Sequence, residues 1–375
     1  MHWAGSIVSA ECTRVHSALS PVDRIDGLLP ATSIAVTKHI VKTSIKDIAR
    51  AAGISHSTVS RALNDSTLVN AETKARVRRL AQEMGYSPDA AARSLVSGRT
   101  RTVGVVVTTI ADPFVAVVVE GIERTAYACG YSLILAASHN EPQREIAAVE
   151  MLRSKRVDSV IVTSSRVGAL HQERLGSAGV PVILLNSHSQ QQMPNAYSVR
   201  VDDVHGARLA TEYLLGLGHR RIAHVAGLKG HSDSNDRLDG YRSALASAGI
   251  AFDPAYVLSG TGRLDGGREA LPALLELHER PSAIFCYNDM TAIGLLSAAR
   301  DAGVAVPDDL AVIGFDDIPW AAHVTPALTT VAQPMFELGE RAMNMALVLM
   351  NQREIAPCAV TDVILQGQLI VRDST

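Results

Sequence analysis

Two groups of polar residues in this chain have the types and the spacing to do chemistry. The first is compact: Ser55, His56, Ser57, Thr58, Arg61 and Asn64 fall within ten residues of one another. Helical spacing turns Ser55, His56, Ser57 and Arg61 outward while Val59 points back toward Ile45, Ile48, Ile54 and Leu63. A short helix with such a polar first turn suits the major groove of DNA, where base edges are read. Arg61 can donate two parallel hydrogen bonds to a guanine. The second group is dispersed: Asp112-Pro113-Phe114, Asn186, Asp202-Asp203, Asn235 to Arg237, Asn288-Asp289 and Asp316-Asp317. Carboxylates, amides and one guanidinium suit a polyhydroxylated ligand, because hydroxyls both donate and accept.

The first group needs two helices joined by a sharp turn. Residues 43–64 supply them. Ala49 is small enough for close helix approach, and Gly53 accepts the positive φ of the turn without a Cβ clash. Ser55 is placed to cap the second helix through the N–H of Ser57 or Thr58. Asn70 caps a third helix predicted to run to Met84, with Val77, Leu80 and Met84 on one face and Gly85 closing it. Further on, Asp89 and Gly98 bracket a helix too short to persist alone in water.

The second group needs strands, and from Thr102 onward the pattern provides them. Strands are expected at Val103–Val107, Ser132–Ala136, Ser159–Val162, Val182–Leu185, Ser198–Val201, Ile222–Ala226, Ala283–Tyr287 and Leu310–Gly314. Helices are expected at Ile122–Cys129, Gly206–Leu217, Leu238–Ser247 and Thr291–Ala302, and a last strand at Val363–Val371. Such alternation implies parallel sheets with helices on both faces. Ligands in these folds bind beyond the carboxyl ends of the strands, which is where the dispersed polar residues fall.

Charge separates the two parts. The chain carries −3 overall, yet residues 41–101 hold eleven basic and five acidic side chains, a net of +6, leaving −9 for the rest. A basic head on an acidic body confines phosphate attraction to the head. The 375 residues are 47% hydrophobic and 19% charged, ordinary for two or three globular domains. Cys12, Cys129, Cys286 and Cys358 are scattered, without C-x-x-C spacing. Cys129 and Cys286 lie in apolar runs expected to be core. This usage fits a reducing cytoplasm and predicts neither a zinc site nor any other metal or cofactor. No run has the apolar length of a membrane span. Residues 1–42 lack a signal peptide's long apolar stretch and are expected to be a disordered tail or the product of a start assigned too early.

Several of these pieces together resemble the lactose-repressor (LacI/GalR) family of bacterial transcription regulators. They are Ser44-Ile-Lys-Asp-Ile-Ala through Thr58-Val-Ser-Arg, Gly85-Tyr-Ser-Pro88, Leu217-Gly-His-Arg-Arg-Ile222, Asn288-Asp289, Val312-Ile-Gly-Phe-Asp-Asp-Ile-Pro319 and Leu328-Thr-Thr-Val331. They occur in the family's order from about Thr43 to the C-terminus. The resemblance implies an all-α helix-turn-helix head (43–88), a hinge helix and linker (89–101), and an α/β two-lobed core like the periplasmic sugar-binding proteins (102–375). The lobes would comprise 102–200 with 333–355, and 201–331 with 356–375. His56, Ser57 and Arg61 match the base-reading positions, with Ser55, Thr58 and Asn64 beside them. Leu95, with Ala92, matches the hinge residues that wedge into the minor groove. In the core, Arg237 matches a ligand-clamping arginine, Asn288 a pocket amide and Asp316 a hydroxyl acceptor. Gln333 falls at a lobe crossover and Asn186 where an aspartate is common. Phe114 and Trp320 are candidates to stack on an apolar ligand face.

The function implied is a repressor that binds palindromic operator DNA as a homodimer under control of a sugar-like effector. No leucine heptad follows Val363–Val371 to build a coiled-coil tetramer. A secreted sugar-binding protein would have a signal peptide and no basic head. An α/β nucleotide enzyme would need more than Gly216-Leu-Gly218 and Gly266-Gly267, and no H-E-x-x-H or G-x-S-x-G occurs.

Overall fold

The computed structural model describes residues 43–86, 94, 98–163, 179–187, 196–229, 231–351 and 362–375. The expected tail at 1–42 and the hinge positions Asp89, Ala92 and Leu95 lie outside the described residues. The chain divides into two compact units, one ending at Ser87 and the other beginning at Pro88.

The N-terminal unit is three helices, α1 (Ile45–Ala52), α2 (His56–Leu63) and α3 (Ala71–Glu83). Local chemistry fixes their ends. The Ser44 N–H and hydroxyl both donate to Asp47 Oδ2, at 3.0 and 2.6 Å, steadying the first turn of α1. Gly53 ends α1 in the left-handed region at φ 64°, with its N–H returned to the helix. Asn70 Oδ1 accepts the Thr73 N–H at 2.8 Å and starts α3. Ile48, Ala49, Val59, Ala62, Val69, Val77 and Ala81 are buried together, and Ile45, Ile54 and Leu63 close over them.

The second unit holds two six-stranded sheets. The first lobe contains β1 (Thr102–Val107), α4 (Pro113–Ala128), β2 (Ser132–Ala137), α5 (Pro142–Ser154), β3 (Ser159–Thr163), β4 (Val182–Leu185) and β5 (Ala196–Val201). The second lobe contains α6 (Asp203–Gly216), β6 (Ile222–Ala226), α7 (Ser232–Ser247), β7 (Val257–Ser259), α8 (Leu264–Leu275), β8 (Ala283–Cys286), α9 (Asp289–Asp301), β9 (Ala311–Asp316) and β10 (Thr329–Ala332). The chain then returns to the first lobe through α10 (Met335–Asn351), followed by β11 (Val363–Leu365) and β12 (Gln368–Ile370). Strand order is β11-β5-β4-β3-β1-β2 in one sheet and β12-β10-β9-β8-β6-β7 in the other. All pairings are parallel except β10 with β12. Strands β3, β4 and β9 are buried along their whole length, which is why they read as unbroken Val/Ile/Leu-rich runs: helices cover both faces.

Three expectations are corrected. The final strand is two strands: β11 pairs with β5 in the first sheet, and β12 with β10 in the second. Residues 363–365 therefore leave the second lobe to which 356–375 was assigned, and the lobes are joined a third time at Gln366-Gly367. Cys129 is exposed rather than core, because α4 ends there; Cys286 is buried. The helices begin earlier than expected, at polar caps such as Asp112 and Asp202, upstream of their apolar stripes. No helix among the described residues is long and apolar enough to cross a membrane.

Candidate functional site

In the N-terminal unit, Ser55 caps α2. Its Oγ accepts the Thr58 N–H at 3.1 Å and lies 2.8 Å from both the Ser57 and Thr58 hydroxyls. Its chemistry is thereby committed to shaping the first turn. His56, Ser57, Arg61 and Asn64 are exposed on this helix and Thr58 is half-buried. Part of the positive charge is paired locally. Asp65 holds Lys74 at 2.9 Å and Arg78 at 3.0 Å, and its hydrogen bond from Lys74 is the main reason its carboxyl lies below the usual range. Arg76 donates to the Ala52 carbonyl at 2.8 Å, satisfying an acceptor that the end of α1 leaves open.

The second unit carries a cleft of about 420 Å³ between the lobes, at the carboxyl ends of the strands. Arg237 is its electrostatic centre. Helix α7 delivers it from the second lobe with the side chain only 3% exposed. Nε donates to Asp203 Oδ1 at 2.8 Å, Nη1 donates to the Tyr287 carbonyl at 2.6 Å, and Asp316 Oδ1 lies 3.7 Å from Nη1. The guanidinium also sits over the rings of Phe315, at 3.8 Å, and Tyr287, at 4.6 Å. Burial alone would lower its pKa, but Asp203, Tyr287, Asp316 and Asp233 hold it above the ordinary arginine value. Arg237 is a fixed cation.

Its carboxylate neighbours are moved the other way by burial. Asp203 is pushed up to about 6 against the pull of Arg237. Asp316 is pushed well above the carboxylate range, with Arg237 again opposing and Asp289 and Asp112 adding to the rise. A carboxyl held near protonation can donate to a ligand hydroxyl as well as accept from one. Gln333 Nε2 donates to Asp316 Oδ1 at 2.6 Å, and Gln333 Oε1 faces Asn186 Nδ2 at 3.4 Å. Asn186 Oδ1 accepts the Val201 N–H at 3.3 Å. One chain of polar contacts thus runs from Arg237 in the second lobe, through the crossover at Gln333, to Asn186 in the first.

Six of the seven expected core residues line this cleft: Phe114, Asn186, Arg237, Asn288, Asp316 and Gln333. Trp320 does not. It lies 49% exposed in the turn after β9, while Ile318 takes the buried place two residues earlier and packs into the first-lobe core. Asn288 is already engaged: its Oδ1 caps α9 through the Thr291 N–H at 2.9 Å, and its Nδ2 donates to the Gly262 carbonyl at 3.0 Å. Asn235 is exposed outside the cleft. Of the strand-end acids, Asp202 caps α6, Asp289 receives Thr330 Oγ1 and the Ile318 N–H, and Asp317 pairs with Arg372 at 2.7 Å. These three hold structure.

Sequence reasoning missed Asp203 as the partner of Arg237, and missed Asp233 and Tyr287 altogether. Asp233 lies one helical turn before Arg237, the spacing that shares a helix face. It accepts the Tyr287 hydroxyl at 2.7 Å. Tyr287 of the second lobe and Phe114 of the first both line the cleft. Among the described residues no group of three or more His, Cys, Asp or Glu is placed to hold a metal ion.

Comparison with known proteins matches residues 44–89 to the bacterial regulatory proteins of the lacI family and residues 211–375 to the periplasmic binding protein-like domain. The HTH-type transcriptional repressor CytR of Escherichia coli (strain K12) is 34% identical over 342 residues, covering 90% of this chain and 98% of the relative. The chain belongs to the LacI family. It is a DNA-binding transcriptional regulator controlled by a small ligand, not an enzyme. Among solved structures, the lac repressor dimer bound to operator and the anti-inducer ONPF aligns with a TM-score of 0.80 at 26% identity, covering 89% of this chain and 99% of that one. The transcriptional regulator CelR in complex with cellobiose aligns with a TM-score of 0.67 at 30% identity, covering 89% and 100%.

Proposed function

We propose that this LacI-family regulator binds an uncharged, polyhydroxylated effector, a sugar or sugar derivative, in the cleft of its core. The observation that carries this reading is the polar lining. Asp112, Asp233, Asp265 and Asp316 set oxygen atoms around the cleft, and Arg237 is already engaged by Asp203 and the Tyr287 carbonyl. Such a site leaves Arg237 little capacity for an anionic group and offers hydroxyls both donors and acceptors. Phe114 and Tyr287 would cover the apolar faces of a ring. A neighbour in structure carries cellobiose in its complex.

On the DNA side, the reading assigns base contacts to His56, Ser57 and Arg61, with Thr58 and Asn64 beside them and Ser55 shaping the turn. Ala92 and Leu95 would enter the minor groove. A homodimer would match a two-fold symmetric operator. Such a protein works in the cytoplasm, on the nucleoid when bound.

The test combines operator selection from random DNA with calorimetric titration of neutral sugars, nucleosides and sugar phosphates. A neutral sugar should bind and change operator affinity in a mobility-shift assay. Asp316→Ala should abolish that response and leave operator binding in place. Preferential binding of the phosphorylated forms would refute the assignment.

A further inference from the structure

We infer that Arg99 is a positioning residue for the regulatory switch, tying the segment that carries the DNA-binding unit to the far end of the helix that leaves the effector cleft. Arg99 Nη1 donates to Asn351 Oδ1 at 2.8 Å, and Nη2 donates to the Met350 carbonyl at 2.9 Å. These are the last two residues of α10. A cation there also meets the negative end of the helix dipole and fills an acceptor the helix leaves open.

The other end of α10 begins in the cleft. Gln333 precedes the helix by two residues, donates to Asp316 and faces Asn186, so it joins both lobes. Between its ends α10 is a rod of 17 residues, about 25 Å long. The rod has little slack against its neighbour α4. A methyl added at Gly121 would overlap the Phe336 carbonyl, and one at Gly339 would overlap the Val118 carbonyl. Helix α4 itself starts at Asp112 and Phe114, which line the cleft. A shift of the lobes therefore moves α10 as a body.

The contact does more than anchor the chain, because anchoring is already supplied. Asp158 accepts the backbone N–H groups of Thr100, at 3.0 Å, and Arg101, at 2.7 Å, and Thr100 Oγ1 donates to the Arg156 carbonyl at 2.8 Å. Those bonds hold the segment to the turn before β3. Arg99 adds a tie to α10. The tie rests on ligand-controlled DNA binding as such, whatever the chemical class of the effector.

A double-mutant cycle tests it without an effector. Full-length protein and the variants Arg99→Ala, Gln333→Ala and the double variant are titrated by fluorescence anisotropy on an operator selected by the parent protein. Gln333→Ala should change operator affinity by about three- to thirtyfold in the parent background, the range found for residues along a coupling route. In the Arg99→Ala background the same change should fall below about twofold, and Arg99→Lys should restore part of it. An equal effect of Gln333→Ala in both backgrounds overturns the proposal, as does no effect in either. Arg341→Ala, which removes an exposed ion pair to Glu337 on α10, should leave the Gln333 effect intact. If it erased that effect equally, helix integrity would be the cause and the assignment to Arg99 would fail.

Discussion

Replacing Asp203 by Ala asks whether Arg237 is held in the cleft by its buried partner. The pair meets at 2.8 Å with side chains only 3% and 4% exposed, so water cannot substitute for the lost carboxylate. Removing one member of a buried pair costs about 3–5 kcal/mol, because the other charge stays behind uncompensated. Here Asp316 at 3.7 Å and the Tyr287 carbonyl remain and offset part of it, which places the expected cost near the lower end, about 3 kcal/mol. For a unit of this size that lowers the melting temperature by roughly 6–12 °C. The measurement is scanning calorimetry of the full-length protein at pH 8, above the value of about 6 to which burial raises Asp203, so that the carboxylate is charged. The double variant Asp203→Leu, Arg237→Met removes both charges and should regain most of the loss. A single variant destabilised by less than about 1 kcal/mol, or a double variant as unstable as the single, would refute the argument that the ion pair fixes Arg237.

Three further outcomes are expected. Arg61→Ala should relax base discrimination at one operator position by about 1–3 kcal/mol, read from binding to single-base operator variants; unchanged discrimination would remove Arg61 from the reading set. His224 is buried between Tyr241 and Phe285 and its pKa is lowered to about 4, mainly by burial. The unfolded chain takes up that proton first, so His224 costs stability progressively as pH falls from about 6.5 toward 4, up to about 3 kcal/mol; the difference between parent and His224→Phe in denaturant titrations across that window isolates it. Gly339→Ala should cost about 1–3 kcal/mol by forcing α10 off α4, seen as a lower denaturation midpoint.

What could be read in the sequence follows the range of the interactions responsible. The head was legible almost residue by residue, because Ser55, Asn70 and Gly53 act on neighbours three or four positions away. The sheets were legible from strand and helix alternation, apart from β7 and β10, which lie outside the expected strands. The cleft was half legible. Arg237, Asp316 and Gln333 were named through the family resemblance, and the structure brings them together. Asp203 stood only among the strand-end acids and Asp233 was absent, because their task depends on which helices the sheet sets side by side. Trp320 misled because size and aromaticity were weighed without the turn that turns it outward. The split of 363–371 between two sheets was hidden for a related reason: two lobes exchange strands there within three residues.

On the proposed reading, the cleft places affinity and switching on different lobes. The second lobe supplies Arg237, Asp233, Asp316 and Tyr287, braced by Asp203 and the Phe315 ring, so its side of the site is built before any ligand arrives. The first lobe offers Phe114, Asp112 and Asn186: Asn186 faces Gln333 at 3.4 Å, and Asp112 acts electrostatically on Arg263 and Asp316 of the second lobe. A ligand can shift an equilibrium between two arrangements only by the difference in its affinity for them. Contacts confined to the braced second lobe are the same in both arrangements and contribute nothing to that difference. On the proposed reading, the switch therefore depends on what the effector gains or displaces at Phe114, Asp112 and Asn186. Those residues stand at the start of α4 and beside Gln333, two residues before α10, the helix whose far end Arg99 meets.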